Sequence, residues 1–276
     1  MTAASPRLGP PIEVRMYAGD GPWVAVLHGG PGAPGSVSSL AAALAPEFEV
    51  LEPLQRRSGT VPLTVAQHVA DLAGVVSEPV HVVGWSWGAM LGLSFTVAHP
   101  EVVSSLALVG CGTYDVAARR HYEQAMRARL SREDRTTLKT LTERVQAADE
   151  PGERERLRTE RGQLWNRLLS VDLVKHERSD VPEDPRGREE TWDDVLRLQT
   201  EGVEPAAFQA IRVPVTMLHG DDDPHPGEAT YRVLKSQMPQ LGYVGFPRCG
   251  HLPWLEQHAR SQFLDALRAW IRLQAT

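Results

Sequence analysis

Ser86 stands at the centre of the pentapeptide Gly-Trp-Ser-Trp-Gly, with Gly84 and Gly88 two residues to either side. An apolar run at residues 80–83 precedes the pentapeptide, and a stretch with helical character at residues 87–98 follows it. A serine on a sharp strand-to-helix turn exposes its hydroxyl, and the positions two residues before and after it face each other so closely that only small residues fit. Without this context Ser86 could equally be a helix cap. With it, the pattern predicts a nucleophile.

A serine nucleophile needs a base to remove its proton and a carboxylate to orient that base. Three consecutive aspartates at residues 221–223 follow one predicted strand, and His251 follows the next. Asp223 is the favoured carboxylate because it precedes a proline and lies on the turn rather than at the strand end, and Asp222 is the alternative. We therefore expect a triad of Ser86, Asp223 and His251, in the chain order that accompanies such a turn.

A glycine-rich loop with the sequence His-Gly-Gly-Pro-Gly, residues 28–32, follows another predicted strand. Glycine lets the backbone turn sharply and approach a ligand closely, although such a run can also be glycine-rich for steric reasons alone. Backbone N–H groups aimed at a developing oxyanion stabilise acyl transfer. We expect these donors at Gly30 and at Trp87, the residue after Ser86, and we expect His28 to support the loop by a hydrogen bond.

Short β-branched or aliphatic runs, each closed by glycine or proline, alternate along the chain with longer stretches of helical spacing. This alternation predicts an α/β fold with a mostly parallel sheet and helices on both faces. The candidate strands are residues 12–17, 23–27, 48–51, 80–83, 105–109, 213–218 and 243–246. The candidate helices of this core are residues 64–76, 87–98, 228–238 and 257–273.

The composition changes abruptly after Gly112, where the chain becomes rich in arginine and glutamate on helical spacing and offers no plausible strand. Breaks between helices are expected at residues 147–152 and 181–187, where proline and glycine occur. The strand pattern then resumes. We therefore expect a core of residues 1–112 and 206–276, interrupted by a helical lid of residues 113–205.

The composition and net charge of the chain narrow the classes of partner and the cellular location that we expect. The chain has 276 residues and a net charge of −6, which disfavours broad affinity for nucleic acid or anionic lipid and favours a small-molecule partner. The first eleven residues lack the apolar run of a signal peptide, and no stretch approaches the roughly 18 apolar residues of a membrane helix. With only Cys111 and Cys249 as cysteines, a cytoplasmic location fits best. The oligomeric state stays open.

His219, His225 and the aspartates beside them form a second constellation, because imidazoles and carboxylates can bind Zn²⁺ or Mn²⁺. Their spacing matches no metal motif, so we expect neither a metal nor a cofactor. Cys249 lies close to His251 in the sequence and is expected to pack rather than to react.

With these residues in place, the chain resembles the proline iminopeptidase branch of the α/β hydrolases. The matching pieces are residues 28–32, the run Ser86, Trp87 and Gly88, the His-Pro-Glu of residues 99–101, and Gly220 with Asp223. The resemblance implies the α/β-hydrolase fold with a Ser-His-Asp triad. It spans the chain but is weak inside the helical insertion.

Two departures separate the chain from that branch. Trp85 stands where the branch usually has glycine, and the branch's Asp-Gln-Arg-Gly-x-Gly-x-Ser loop is represented only by residues 53–59, Pro-Leu-Gln-Arg-Arg-Ser-Gly. An aminopeptidase of that kind also needs lid carboxylates to hold the free amine of its substrate, and the many acids of the insertion leave their identity open. The fold and the triad therefore carry over better than the peptidase specificity.

These features together predict a serine hydrolase that cleaves an ester or amide bond of a small molecule through an acyl-enzyme. Trp85 is a candidate for the substrate pocket, or it packs against the sheet. A carboxylesterase or lactonase with an apolar acyl pocket is the alternative activity. A hydrolase fold that only binds a ligand is the alternative of another class.

Overall fold

The apolar runs of the sequence form one seven-stranded sheet in the part of the chain that the structure describes. The structure, a computed structural model, describes residues 12–175 and 179–275. Residues 1–11, where no export signal is expected, lie outside that part. The strands are β1 (Val14–Tyr17), β2 (Trp23–Leu27), β3 (Glu49–Pro53), β4 (Val80–Trp85), β5 (Val103–Val109), β6 (Val215–Gly220) and β7 (Gly242–Phe246).

The order of the strands brings the predicted functional loops to one edge of the sheet. The order is β1-β3-β2-β4-β5-β6-β7; β1 runs antiparallel to β3, and the other neighbours are parallel. The carboxyl ends of the parallel strands therefore meet at the same edge. The loops after β2, β4, β6 and β7 carry the predicted donors, nucleophile, acid and base.

Helices cover both faces of the sheet, as the sequence predicts. The helices are α1 (Ser38–Leu44), α2 (Val65–Ala73), α3 (Trp87–Ala98), α4 (Val116–Arg129), α5 (Arg132–Ala147), α6 (Pro151–Leu169), α7 (Pro185–Thr200), α8 (Gly227–Gln237) and α9 (Arg260–Gln274). Side chains of α2, α3 and α8 join one buried cluster, and those of α1 and α9 join a second. Strand residues alternate between the clusters: Ala25 and Leu27 face the first, and Val24 and Val26 face the second.

Several boundaries differ from the sequence prediction, and two of them, together with one missed helix, have identifiable physical reasons. β6 begins at Val215 rather than at 213, since Pro214 has no N–H to donate to the ladder. β4 continues to Trp85, because that residue pairs with β5 just before the turn. The helix α1, with the sequence Ser-Ser-Leu-Ala-Ala-Ala-Leu, was missed; its seven residues are too few to show helical periodicity.

In the described residues between β5 and β6, the chain forms the four α-helices α4 to α7 and a short 3₁₀ helix at Ala206–Ala210. Within residues 113–205, the described part otherwise contains one isolated bridge, from Leu173 to Glu256. Ser131 caps α5 in a reciprocal capping box with Asp134, and Pro151 begins α6 within the expected break at 147–152. The boundaries of the inserted unit and its role as a lid stay predictions.

Among residues 12–175 and 179–275, no helix is both long and apolar enough to cross a membrane.

Candidate active site

Ser86 occupies the tight turn between β4 and α3. Its backbone has φ 55° and ψ −116°, a conformation that costs a residue other than glycine free energy and that is concentrated at functional sites. The Ser86 N–H donates to the carbonyl of Val109 at 2.8 Å, which ties the turn to the neighbouring strand β5. The strain is thus held by the sheet, and the serine stands at the sheet edge.

The glycines on either side of Ser86 are required by close backbone approaches. A Cβ atom at Gly84 would lie 2.3 Å from the Gly88 carbonyl oxygen, and one at Gly88 would lie 2.2 Å from the Leu27 carbonyl oxygen. Neither distance leaves room for a methyl group. The steric reason for the motif, derived from the sequence, therefore applies in this chain.

Asp223 and His251 form a buried carboxylate–imidazole pair. Nδ1 of His251 donates to Oδ2 of Asp223 at 2.6 Å, and both residues are buried. Asp222, the alternative acid, is exposed. The structure therefore brings the imidazole to Asp223 and not to its neighbour.

The ionisation of Asp223 follows from its surroundings. Burial alone would raise the pKa of this carboxyl, but the histidines around it, His251 first and then His225 and His219, hold the pKa well below its ordinary value. Asp223 is therefore a carboxylate at neutral pH, as an acceptor for the Nδ1–H of a general base must be.

Gly110 lies directly beneath this pair and was not predicted from the sequence. It follows the last residue of β5 and has φ 52°. A Cβ atom there would lie 3.0 Å from Nδ1 of His251 and 3.4 Å from Oδ2 of Asp223. Only glycine combines this conformation with so close an approach. Its position at the end of a predicted strand was the one available signal.

Gly30 and Trp87 both line the cavity that Ser86 also lines. Gly30 has φ 48°, a conformation for which glycine is suited. Trp87 is the first residue of α3, and the first N–H groups of a helix have no acceptor within the helix. These backbone positions are those where an oxyanion hole is expected.

A buried chain of hydrogen bonds fixes the loop of Gly30 to α3. The Trp87 indole N–H donates to Gln55 Oε1 at 2.7 Å, and Gln55 Nε2 donates to the His28 carbonyl at 3.2 Å. His28 Nδ1 donates to the Gly29 carbonyl at 2.9 Å, while its Nε2 accepts from the Gln55 N–H at 3.3 Å. His28 thus supports the loop as a neutral ring. The role of Gln55 was missed, although it lies in the 53–59 segment that departs from the related loop.

Two buried histidines in this region predict acid sensitivity of the fold. Burial lowers the pKa of His28 and that of His68 each to about 4. Because the unfolded chain binds these protons near pH 6.5, the stabilisation is complete above that pH and is lost as the pH falls towards 4. We expect protonation of each histidine to lower the free energy of unfolding by up to about 3 kcal/mol over that range.

Urea unfolding at a series of pH values between about 7 and 4.5 measures this loss. His68→Gln should flatten the pH dependence, while His121→Gln, which changes an exposed side chain of α4, should leave it unchanged. A wild-type unfolding free energy that stays constant over this range would contradict the expectation.

Trp85 packs beneath the loop that carries His251. Its indole N–H donates to the His251 carbonyl at 2.9 Å, and its ring meets the edge of Trp254 with centroids 5.2 Å apart. A Cβ atom at Gly29 would lie 2.5 Å from the Trp85 ring. Trp85 is 8% exposed and its exposed part lines the cavity. The Trp85 ring therefore packs against its neighbours over most of its surface and lines the cavity with its small exposed part.

The site opens into a cavity of about 480 Å³. The core contributes Gly30, Ser86, Trp87 and His251 to its lining. The helical insertion contributes the aromatic side chains Tyr122, Trp165 and Trp192, together with several charged ones. The insertion therefore forms one wall of the space in which a substrate would meet Ser86.

Backbone hydrogen bonds join the insertion to the loops that carry His251 and Gly30. The His251 N–H donates to the Leu169 carbonyl, at the end of α6, at 2.9 Å, and the Asp184 N–H, before α7, donates to the Gly32 carbonyl at 2.7 Å. The position of the insertion is thereby coupled to the loops that carry the predicted base and the predicted oxyanion donor.

Asp223, His225 and His251 form a compact cluster in which one polar side-chain atom of each residue lies within 4.8 Å of the others. A metal ion would need the histidine nitrogens that bind it to be unprotonated. The metal site that the sequence analysis considered and did not expect combined His219 and His225 with the aspartates. In the structure the Nδ1 atoms of His225 and His251 each hydrogen-bond an oxygen of Asp223 directly.

Both cysteines are buried and free. Burial raises the pKa of each thiol, which suppresses the reactive thiolate. The Cys249 thiol donates a hydrogen bond to the Gly250 carbonyl in its own loop. These properties fit a packing residue.

Comparisons with known proteins agree with this architecture. The model of the alpha/beta hydrolase family matches residues 24–265. The pimeloyl-[acyl-carrier protein] methyl ester esterase of Chromobacterium violaceum is 28% identical over 268 residues, which cover 93% of this chain and 97% of that protein.

Solved structures share the fold. An esterase from Thermogutta terrifontis has a TM-score of 0.63 and 21% identity, covering 96% of this chain and 95% of its own. The proline iminopeptidase of Mycobacterium smegmatis has a TM-score of 0.59 and 21% identity, covering 95% of this chain and 94% of its own. The prediction of an α/β-fold hydrolase is confirmed at the level of the family: this chain belongs to the α/β hydrolase family.

Proposed function

We propose that this protein is a serine esterase that cleaves small carboxylic esters through Ser86, His251 and Asp223. The observation that carries the proposal is the 2.6 Å contact between His251 and a buried, ionised Asp223, because His251 lines the same cavity as the strained Ser86. A carboxylate in that position fixes the imidazole tautomer whose free nitrogen can take a proton.

The proposed reaction is acyl transfer in two steps. Ser86 Oγ attacks the carbonyl carbon while its proton passes to Nε2 of His251, and the backbone N–H groups of Gly30 and Trp87 bind the oxyanion. Collapse of the intermediate breaks the bond to the leaving alcohol, which takes the proton from His251. Water then attacks the acyl-enzyme by the same route, releases the acid and restores Ser86.

The apolar lining of the cavity and the similarity to the Chromobacterium violaceum esterase both favour an ester substrate. Trp165 and Trp192 of the insertion and Met90 of α3 give the cavity apolar walls, which suit an acyl chain. The Chromobacterium violaceum relative, which aligns over 93% of this chain, is named a methyl ester esterase. A small ester is therefore the proposed substrate class.

Aminopeptidase activity is the second candidate, and two acids of the insertion favour it. Glu183 and Glu189 line the cavity, where carboxylates could hold the free amine of a peptide. However, Arg161 pairs with Glu183 at 3.2 Å, and Arg119 and Arg188 line the same cavity. The positive charges offset the acids and make an amine a poorer ligand than a neutral or anionic acyl group.

The cavity wall also supports the proposal that residues 113–205 form a lid over a core of residues 1–112 and 206–276. Trp192→Ala should raise KM for a butyrate ester more than for an acetate ester, because it removes apolar surface contributed by α7. Equal KM values in the variant and the wild type for both esters would contradict this role of the insertion.

A substrate panel tests the proposed function. We expect p-nitrophenyl acetate and butyrate to be turned over with kcat/KM at least about 100 times that for the proline and alanine p-nitroanilides, since pocket contacts separate substrate classes by this amount. Glu189→Gln is the matched variant: it should leave ester turnover unchanged and should lower anilide turnover only if the aminopeptidase hypothesis is correct. Turnover of the anilides alone would refute the esterase proposal.

A further inference from the structure

Three aromatic rings form a stack at the wall of the active-site cavity. The His225 ring lies on the His251 ring with centroids 4.4 Å apart and planes 23° apart. On its other side the Tyr122 ring lies 4.2 Å away at 22°. Tyr122 belongs to α4 of the insertion, so the stack reaches from the insertion to the proposed base.

His225 also shares the carboxylate of His251. Its Nδ1 donates to Oδ1 of Asp223 at 2.9 Å and its backbone N–H donates to the same oxygen at 2.8 Å, while His251 donates to Oδ2 at 2.6 Å. One buried carboxylate therefore serves two stacked imidazoles. A triad needs only one of them, so the second has no role in the reaction as derived above.

We propose that His225 is a positioning residue that clamps the His251 ring between the insertion and Asp223 and weakens the hold of Asp223 on the His251 proton. The proposal rests on the proposed function, because it assigns His225 a role through the base. Two separable properties carry it: the ring supplies the stack, and the Nδ1–H supplies the second hydrogen bond to the carboxylate.

The stack restricts the orientation of His251. The Tyr122 and His251 rings stack on the two faces of the His225 ring and restrict the rotation of that ring. The His251 ring in turn packs against His225, with its Nδ1 directed to Asp223. Correct orientation of a catalytic base matters steeply, since a displacement of about 1 Å can cost roughly 100-fold in rate. Loss of the ring should therefore lower the reaction rate.

The shared hydrogen bond has an electrostatic effect of defined sign. Each donor to a carboxylate stabilises its charge and so reduces its attraction for other donors. Burial lowers the pKa of His225, so His225 donates as a neutral ring. Without its Nδ1–H, Asp223 would attract the His251 imidazolium more strongly, and protonated His251 would persist to higher pH.

Groups from each element packed around the stack are part of this balance. The titratable and charged groups that face His225 or its partners are His219 in β6, Asp223 after β6, His251 after β7, Tyr122 on α4 and Arg188 on α7. Arg129 on α4 contacts the carbonyl of the neighbouring Asp222. None of them changes in the variants below, so a shift can be assigned to His225.

The test uses the second-order rate constant for inactivation by a fluorophosphonate, measured between about pH 5 and 9, whose acid limb reports the protonation of the base. His225→Phe keeps a stacking ring without a donor, and His225→Asn keeps a donor at the place of Nδ1 without the ring. We expect the acid limb of His225→Phe to move up by about 0.5–1 pH unit. We expect His225→Asn to keep the wild-type limb and to react about three- to tenfold more slowly at every pH.

Each outcome has a defined meaning. A His225→Phe limb that coincides with the wild type or moves down overturns the inference, because a residue that only packs would lower stability without moving the limb. If His225→Phe does not fold, His225→Leu, which also lacks the donor, takes its place with the same expected shift. A folded wild type that does not react with the fluorophosphonate at all would overturn the proposed function and this inference with it. A reactive wild type whose acid limb coincides with that of His225→Phe would overturn the inference alone.

Discussion

Replacing Asp223 by asparagine is expected to lower kcat/KM for an ester substrate by about 10³- to 10⁴-fold, the loss found when a triad acid becomes an amide. The carboxylate accepts Nδ1–H of His251 at 2.6 Å and so leaves the other ring nitrogen free for the Ser86 proton. An asparagine amide can present an N–H to the ring instead and favour the wrong tautomer. The size of the loss should not vary among esters, because Asp223 does not line the cavity.

Asp222→Asn is the matched control for this experiment. Asp222 makes its described contacts through the backbone: its N–H donates to the Cys249 carbonyl at 2.9 Å and its carbonyl accepts from Arg129. The change leaves the backbone intact and removes one exposed charge. We expect activity within about twofold of the wild type, as for most surface substitutions. Comparable losses in the two variants would contradict the specific role of Asp223, and a larger loss in Asp222→Asn would assign the acid to Asp222.

Ser86→Ala is expected to reduce ester turnover by at least about 10⁴-fold, leaving only the contribution of the oxyanion site and of substrate binding. Alanine removes only the hydroxyl group and meets the same positive φ of 55° as serine does, so the melting temperature should change little. Ser261→Ala, at an exposed position of α9, controls for general effects of losing a hydroxyl. Retention of more than a tenth of the wild-type kcat by Ser86→Ala would require a different nucleophile.

Ser86 and its two glycines were open to prediction because the constraint on them is local. The turn, the strand before it and the helix after it lie within one continuous segment, and Gly84 meets Gly88 across that turn. The sheet was predictable for the same reason, since each strand is a short apolar run closed by glycine or proline. The acid was harder to place, because three adjacent aspartates differ only in where the turn directs each side chain.

Residues whose partners are distant in the chain could not be predicted. Gly110 is required by the His251 ring, and only its position at the end of a predicted strand marks it in the sequence. The indole N–H of Trp85 finds its acceptor 166 residues later, so the sequence left pocket and packing as equal alternatives. The stack of Tyr122 on His225 joins two parts of the chain that only the packing of the insertion brings together.

The most direct test of the central claim is the site of covalent modification by a fluorophosphonate, mapped by peptide mass spectrometry. A serine activated by its base reacts with this probe, whereas a hydrolase fold that only binds a ligand does not. The predicted result is one adduct per chain, located on Ser86, and no adduct on folded Ser86→Ala. A folded wild-type protein that stays unmodified, or an adduct that persists in Ser86→Ala, would contradict the assignment of Ser86 as the nucleophile.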